Sequence, residues 1–388
     1  MFSNQATELS LETPCRALSA LRGDHVDARF LIGSCSVQEP NHLFVVRYHS
    51  EVNELGLDAT ISHEDGPVQT ICCSPTDSSI VITSAERSQT ASLWKLPASI
   101  PDQSIGDDAG DDPSDTNMDR LATLSTDGGS YLTDIVWRNS ADDIDVSTGD
   151  VLTLDDKGRL SRWDVSQNDA TLIHSVSTSD KSTNENVGAD FPPRVAWDPH
   201  GNGNAAAVTD RTAIRILDWR VDTSVPTGTV ESFQAHRTAV TNLDYNPNKP
   251  YVLSTCGQDG LLKFWDLRSA NHPLLVARGG HSHWAWNVQY NPFHDQLVLS
   301  TGTDSLVNLW RVSTISSAPL LTLDEDNDDG GTSDTSAPNV RVERYDHGDS
   351  VYGAAWGASD AWLYMTLGYD GKAVLNHVPS KEKYKILL

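Results

Sequence analysis

An aspartate stands six residues before a tryptophan at Asp259–Trp265 and again at Asp304–Trp310, and the two copies lie 45 residues apart. His236 and His281 keep the same offset. Each histidine is followed eleven residues on by the proline of a YNP tripeptide, and eighteen residues later by the tryptophan. A fixed period of this length means that one supersecondary unit recurs, each copy burying its apolar face on the next. Weaker copies follow the same ruler. His347 leads at eleven to Ala358 and at a further eighteen to Asn376, with Asp370 six residues before it. His63, Pro75 and Trp94 are spaced by twelve and nineteen, Pro199 leads at eighteen to Leu217, and a longer copy runs from YLTDIVW to LSRWDV, ending at Trp163.

Between these markers lie short runs of Val, Ile, Leu, Thr and aromatics, such as VTNLDY, YVLSTC, LKFWDL and LLVAR. Asn-Pro, Gly-Gln-Asp-Gly and Arg-Ser-Ala turns bound them. Four strands per unit of roughly 40–45 residues are the signature of a WD-type β-propeller blade. RALSAL, RFLIGSC and NHLFVVRY have the strand pattern of one more unit without its markers. The expected fold is all-β, a single seven-bladed WD-repeat β-propeller over 1–388, with blades near 15–60, 61–126, 127–180, 190–235, 236–280, 281–346 and 347–388. The terminal KYKILL is read as the outer strand of the last blade.

The formal charge is −26, from 28 Lys and Arg against 54 Asp and Glu. Much of the excess sits in DQSIGDDAGDDPSDTNMD (102–119), with seven aspartates and no basic residue, and in DEDNDDGGTSD (324–334), with six acidic residues of eleven. Inserts at 100–119 and 324–338 are therefore expected to be disordered rim loops. An acidic chain of this kind argues against nucleic acid, whose phosphates need a lysine and arginine surface. No apolar run approaches the ~18 residues of a membrane span, so no direct membrane insertion is expected. No basic region followed by a long apolar stretch opens the chain, so no secretory signal is expected. Five cysteines without a CxxC pair, and no Asn-x-Ser/Thr sequon, point to a reduced, cytosolic compartment.

Histidine, Ser/Thr and aspartate in fixed relation invite comparison with a hydrolase triad. In a WD blade, however, the histidine before the first strand, a hydroxyl on the second, the turn aspartate and the third-strand tryptophan form a buried hydrogen-bonded chain. The candidates are His236, Ser254 or Thr255, Asp259 and Trp265; then His281, Ser300, Asp304 and Trp310; then His347 and Asp370. The indole N–H only donates and the hydroxyl supplies its acceptor. Recurrence in blade after blade favours architecture, because an active site is needed once. Arg211 and Leu217 in the 195–219 copy, and Asn376 in the last, break the chain. No GxxxxGK[ST], HExxH or CxxC occurs, and no GxGxxG follows a strand. The HSH at 281–283 lacks a third ligand, so no metal, cofactor or catalytic residue is assigned and the protein is read as non-enzymatic.

NLDYNPNKPYVLSTCGQDGLLKFWDLR, HSHWAWNVQYNPFHDQLVLSTGTDS, HGDSVYGAAW and GYDGKAVLNHVPSKEKYKILL resemble the EARP and GARP complex-interacting protein family. That resemblance implies a propeller adaptor for vesicle-tethering complexes in endosomal recycling and traffic to the trans-Golgi. It implies a protein monomeric by itself, cytoplasmic and peripheral at endosomes and the trans-Golgi network. Propellers bind partners mostly on the face of the loops entering the first strand and of the turns between the second and third. Those positions are Gln258, Thr303 and Tyr369 before the turn aspartates, and His283, Trp284, Trp286 and Tyr352 near the first strand. Trp284 is expected to join His283 and Tyr352 in an aromatic patch, Trp286 to pack between blades, and Gln258 to look outward. An alternative reading takes WDLR (265–268) as a box offered to the adaptor of a cullin–RING ubiquitin ligase, with Asp266 and Arg268 as contacts.

Overall fold

The computed structural model describes residues 6–22, 28–97, 117–126, 129–138, 149–166, 169–178, 191–220, 229–319 and 339–387. Its strands form seven separate four-stranded antiparallel sheets. The first strands of the blades are Cys15–Ala20, Val68–Cys73, Leu132–Trp137, Val195–Trp197, Val240–Tyr245, Ala285–Tyr290 and Val351–Trp356. Each touches the first strand of the blade before and after it, and the last touches the first, so these strands line the axis of a closed ring. The protein is a seven-bladed all-β propeller.

The apolar clusters lie between neighbouring blades rather than within one. Cys256, Leu262 and Phe264 of blade 5 pack on Val288, Tyr290, Val298 and Trp310 of blade 6. Ala207 and Ile214 of blade 4 pack on Leu243, Leu253 and Trp265 of blade 5. A second strand covered on both faces has no polar side to alternate with, so Val252–Gly257, Leu297–Gly302 and Leu363–Gly368 are buried throughout. Each large apolar side chain enclosed this way contributes about 1.5–3 kcal/mol.

Closure departs from expectation. The outer strand of blade 7 is Thr7–Ser10 from the opposite end of the chain, paired antiparallel with the third strand at Thr7↔Leu375 to Ser10↔Lys372. Glu8 forms an ion pair with Lys372 at 2.7 Å and accepts the Tyr345 hydroxyl at 2.8 Å. The described part of KYKILL, Lys383–Leu387, is therefore not a strand; it belongs to an α-helix, Ser380–Leu387. Pro379 precedes the helix, where its fixed φ suits a helical start, and the Lys, Glu and Leu that follow lose little side-chain freedom in a helix. Glu382 is buried and Ile386, one turn on, packs on the cluster shared by blades 6 and 7, while Tyr384 and Leu387 face solvent. The expected disorder at 100–119 and 324–338 falls largely outside the described residues. Of those inserts, 117–119 are described: Met118 packs on the cluster between blades 1 and 2, and Asp119 begins the strand Asp119–Ser125.

Candidate protein-binding face

The marker residues of blades 5 and 6 meet in chains of short hydrogen bonds. Trp265 Nε1 donates to Thr255 Oγ1 at 2.9 Å, that oxygen lies 2.9 Å from His236 Nε2, and His236 Nδ1 lies 2.9 Å from Asp259 Oδ1. Blade 6 repeats this with Trp310, Ser300, His281 and Asp304 at 2.9, 2.9 and 3.0 Å. A carboxylate only accepts, so Nδ1 carries the proton and Nε2 accepts from the hydroxyl. Burial pushes the Asp304 carboxyl up, but its bonds to His281 and to the Ser282 N–H outweigh this and hold it at about 2. Thr255, not Ser254, is the link in blade 5. Ser254 donates instead to the Asp244 carbonyl at 3.0 Å, because successive strand residues face opposite sides.

Elsewhere the chain is edited. In blade 2, His63 reaches Thr83 and through it Trp94, but its Nδ1 faces the Gly66 carbonyl at 2.8 Å instead of a carboxylate. In blade 3, Trp163 donates to Thr153 at 2.9 Å with no histidine. In blade 7, neither ring nitrogen of the buried His347 has a hydrogen-bond partner, and Asp370 is exposed and accepts the Lys372 N–H at 3.1 Å. Asn376 brings no indole to the chain and its own Nδ2 is unsatisfied, while the Thr366 hydroxyl donates to the Val374 carbonyl at 3.4 Å.

These chains fix the loops that carry the candidate face. Thr303 Oγ1 lies 2.6 Å from His283 Nδ1, which tilts His283 over Trp284 with ring centroids 4.8 Å apart. Phe191, just before the first strand of blade 4, meets Trp284 edge-on at 5.1 Å and Trp286 at 5.9 Å. Trp286 meets Tyr352 edge-on at 4.9 Å, and Tyr352 meets Tyr369 at 5.9 Å. The guanidinium of Arg16 in blade 1 lies 5.3 Å from the centroids of both Trp286 and Tyr352. One continuous run of rings thus links blades 4, 6 and 7, with the Arg16 guanidinium joining it from blade 1, and edge-to-face pairs of this kind are worth about 0.5–1.5 kcal/mol beyond their area.

Two expectations need correcting. Trp286, not Trp284, contacts Tyr352, and it joins the run of rings on this face instead of packing away between blades. Gln258 does not simply look outward: it is half-buried and its Oε1 accepts the Ala239 N–H at 3.2 Å. Tyr369 is the open end of the run at 44% exposure. Phe191 and Arg16 were not anticipated, because neither carries a repeat marker. The 45-residue ruler connects Thr241 to Trp286 but has no marker in blade 1, so it does not reach Arg16.

Behind this face the first strands enclose a cavity of about 330 Å³ lined by Asn242, Asp244, Asn287, Gln289, Trp137 and Trp356 among others. Burial raises Asp244 to about 7, against the pull of the Tyr290 N–H at 2.7 Å. Burial also pushes Cys72 and Cys256 up to about 12, the reverse of what a reactive thiolate requires. Among the described residues no group of three His, Cys, Asp or Glu side chains could hold a metal ion, and no helix is long and apolar enough to cross a membrane. Where the third strand of blade 5 ends, Arg268 grips Asp266 with two hydrogen bonds of 2.9 and 2.6 Å and lies over Tyr251. Asp218 and Arg220 repeat the fork in blade 4.

The architecture and its pinned blades define a WD-type propeller with an aromatic face. A model of the EIPR1 beta-propeller family matches residues 3–310. The chain is 32% identical to the human EARP and GARP complex-interacting protein 1 over 397 aligned residues, 97% of each chain, and 31% identical over 395 to the EARP-interacting protein homolog of Gekko japonicus, again 97% of each. It is 28% identical over 380 residues, 95% of each chain, to the WD repeat-containing protein DWA2 of Arabidopsis thaliana. The chain belongs to the EIPR1 beta-propeller family.

Proposed function

We propose that this protein is a non-catalytic adaptor that binds subunits of the endosome-associated recycling and Golgi-associated retrograde tethering complexes. In this reading it supports endocytic recycling and endosome-to-trans-Golgi traffic from the cytoplasmic surface of those membranes, and it acts as a monomer. The observation that carries the reading is the run of rings from His283 to Tyr369, the residue types that concentrate at protein-binding hot spots. The family names supply the partners.

A second reading rests on the Asp266–Arg268 fork. Its arginine is 64% exposed, and the box could meet a cullin–RING ligase adaptor. One experiment serves both. Affinity purification of the full chain and of Trp284→Ala, with the captured proteins identified, is expected to recover tethering subunits with wild type and about tenfold less with the variant at unchanged melting temperature. Recovery of a cullin and its adaptor, indifferent to Trp284, favours the second reading. Undiminished tether capture by Trp284→Ala overturns the assignment of this face.

A further inference from the structure

In six of the seven blades the pairing between first and second strands slips by one residue at the same end of the first strand. The residues skipped by the ladder are Arg16, Gln69, Thr133, Thr241, Trp286 and Tyr352. A bulge leaves its extra residue unpaired and re-aims that side chain. On three consecutive blades of the ring (6, 7 and 1) these residues are tryptophan, tyrosine and arginine, and they touch one another. The bulges therefore build a corner: two rings perpendicular at 90°, with one guanidinium against both.

That guanidinium differs from most of the half-buried ones. Arg47, Arg138, Arg162, Arg194, Arg215 and Arg311 each meet a carboxylate within 3.5 Å. Arg16 is half-buried and has no hydrogen bond or ion pair among the described residues, in a chain whose acidic residues outnumber its basic ones 54 to 28. Its charge is felt by Glu86 at a distance and opposed by Arg194, the second cation of the neighbourhood. Ring faces stack on the plane of a guanidinium and leave its N–H edge for an acceptor, which suits a planar carboxylate. Its five donors are held at the corner with no acceptor from the protein, so an incoming carboxylate meets them already placed.

We infer that the corner of Arg16, Trp286 and Tyr352 receives the carboxylate of a single Asp or Glu in an extended, otherwise apolar segment of a protein partner. The rings on either side, Phe191 with Trp284 and Tyr369, take that segment's apolar side chains. A net charge of −26 repels a polyanion, whereas one carboxylate among apolar residues meets the local cations without that penalty. The inference deepens the adaptor reading and rests on the same face, but its test does not need the tethering complexes.

The probe is a displayed library of random dodecapeptides selected on the full-length protein. The best binders are then resynthesised and titrated by fluorescence polarisation. The expected consensus is one acidic residue flanked by apolar ones. Arg16→Gln is expected to weaken binding about 10–100-fold at unchanged melting temperature. Replacing the peptide's acidic residue by its amide should cost wild type the same factor and cost Arg16→Gln nothing further. If Arg16→Gln fails to fold, Arg16→Lys, which keeps the charge and loses the fork, takes its place with an intermediate loss expected. Peptides that bind without an acidic residue, equal amide penalties on wild type and variant, or tenfold tighter binding of a phosphoserine peptide would each overturn the assignment. Arg16-dependent peptide binding with no tethering subunit captured by the wild-type chain would sink the adaptor reading and leave this one standing.

Discussion

Blades 6 and 7 stand side by side with a histidine and a turn aspartate in the same places, yet they are held together in opposite ways. Blade 6 is pinned from within: Trp310, Ser300, His281 and Asp304 form an unbroken chain between its strands. Blade 7 has lost that chain with its tryptophan and is strapped from outside. Its fourth strand comes from Thr7–Ser10, and the helix Ser380–Leu387 packs on the cluster it shares with blade 6. That helix sets the buried Glu382 against Arg311 of blade 6, which is fully enclosed. The blade where the two chain ends meet can lose its internal chain because the ends supply contacts that the other blades lack.

The strap should carry the larger energy. Glu382→Ala removes the carboxylate that faces an enclosed guanidinium, and breaking a buried pair from one side costs about 3–5 kcal/mol. Urea denaturation of wild type and variant measures it directly. A loss below about 1 kcal/mol would mean that the N-terminal strand alone holds blade 7. The pin is worth less per residue. Trp310→Phe keeps most of the ring but removes the indole donor and leaves Ser300 short of a partner, for an expected loss of about 1–3 kcal/mol in the same assay. Equal denaturation midpoints for Trp310→Phe and wild type would make the chain ornamental and the packing of the ring on Phe264 sufficient.

The difference between the two blades also marks what the sequence reveals. Asp259 to Trp265 is one tight turn plus one strand, a local constraint, and it was readable as such before any coordinates. The fate of KYKILL is not local. A short apolar tail suits a strand or a helix equally, and the decision falls to residues 7–10, which occupy the free edge of blade 7 from the far end of the chain. The candidate face was legible in kind but not in detail. Trp284 and Trp286 alternate, and two residues apart in an extended stretch share a side. Both tryptophans do join the run of rings, so the expectation that Trp286 packs between blades runs against that period. Arg16 sits at the bulge equivalent to that at Trp286 in a blade without markers, so only the ladder reveals it.

The smallest expected effect tests the broken chain itself. Burial lowers the pKa of His347 from its ordinary value, so it stays neutral in the fold while the unfolded chain takes up a proton below about 6.5. Its contribution to stability is therefore fully present above pH 6.5 and lost as pH falls through the depressed folded value. His63 and His236 are shifted the same way by burial and add to the same acid loss. His236 has the Asp259 carboxylate on its Nδ1, where an imidazolium would be welcome. His347 has no carboxylate within hydrogen-bond reach of either ring nitrogen, and only the Thr366 backbone and the more distant Asp370 and Glu8 favour its charged form, so charging it is compensated less than charging His236. His347→Phe should accordingly flatten the fall in melting temperature between pH 7.5 and 5.5 more than His236→Phe does, once each is referred to its own value at pH 7.5. Identical slopes for wild type and His347→Phe would show that this histidine finds a partner for its proton, and that blade 7 is less broken inside than its geometry implies.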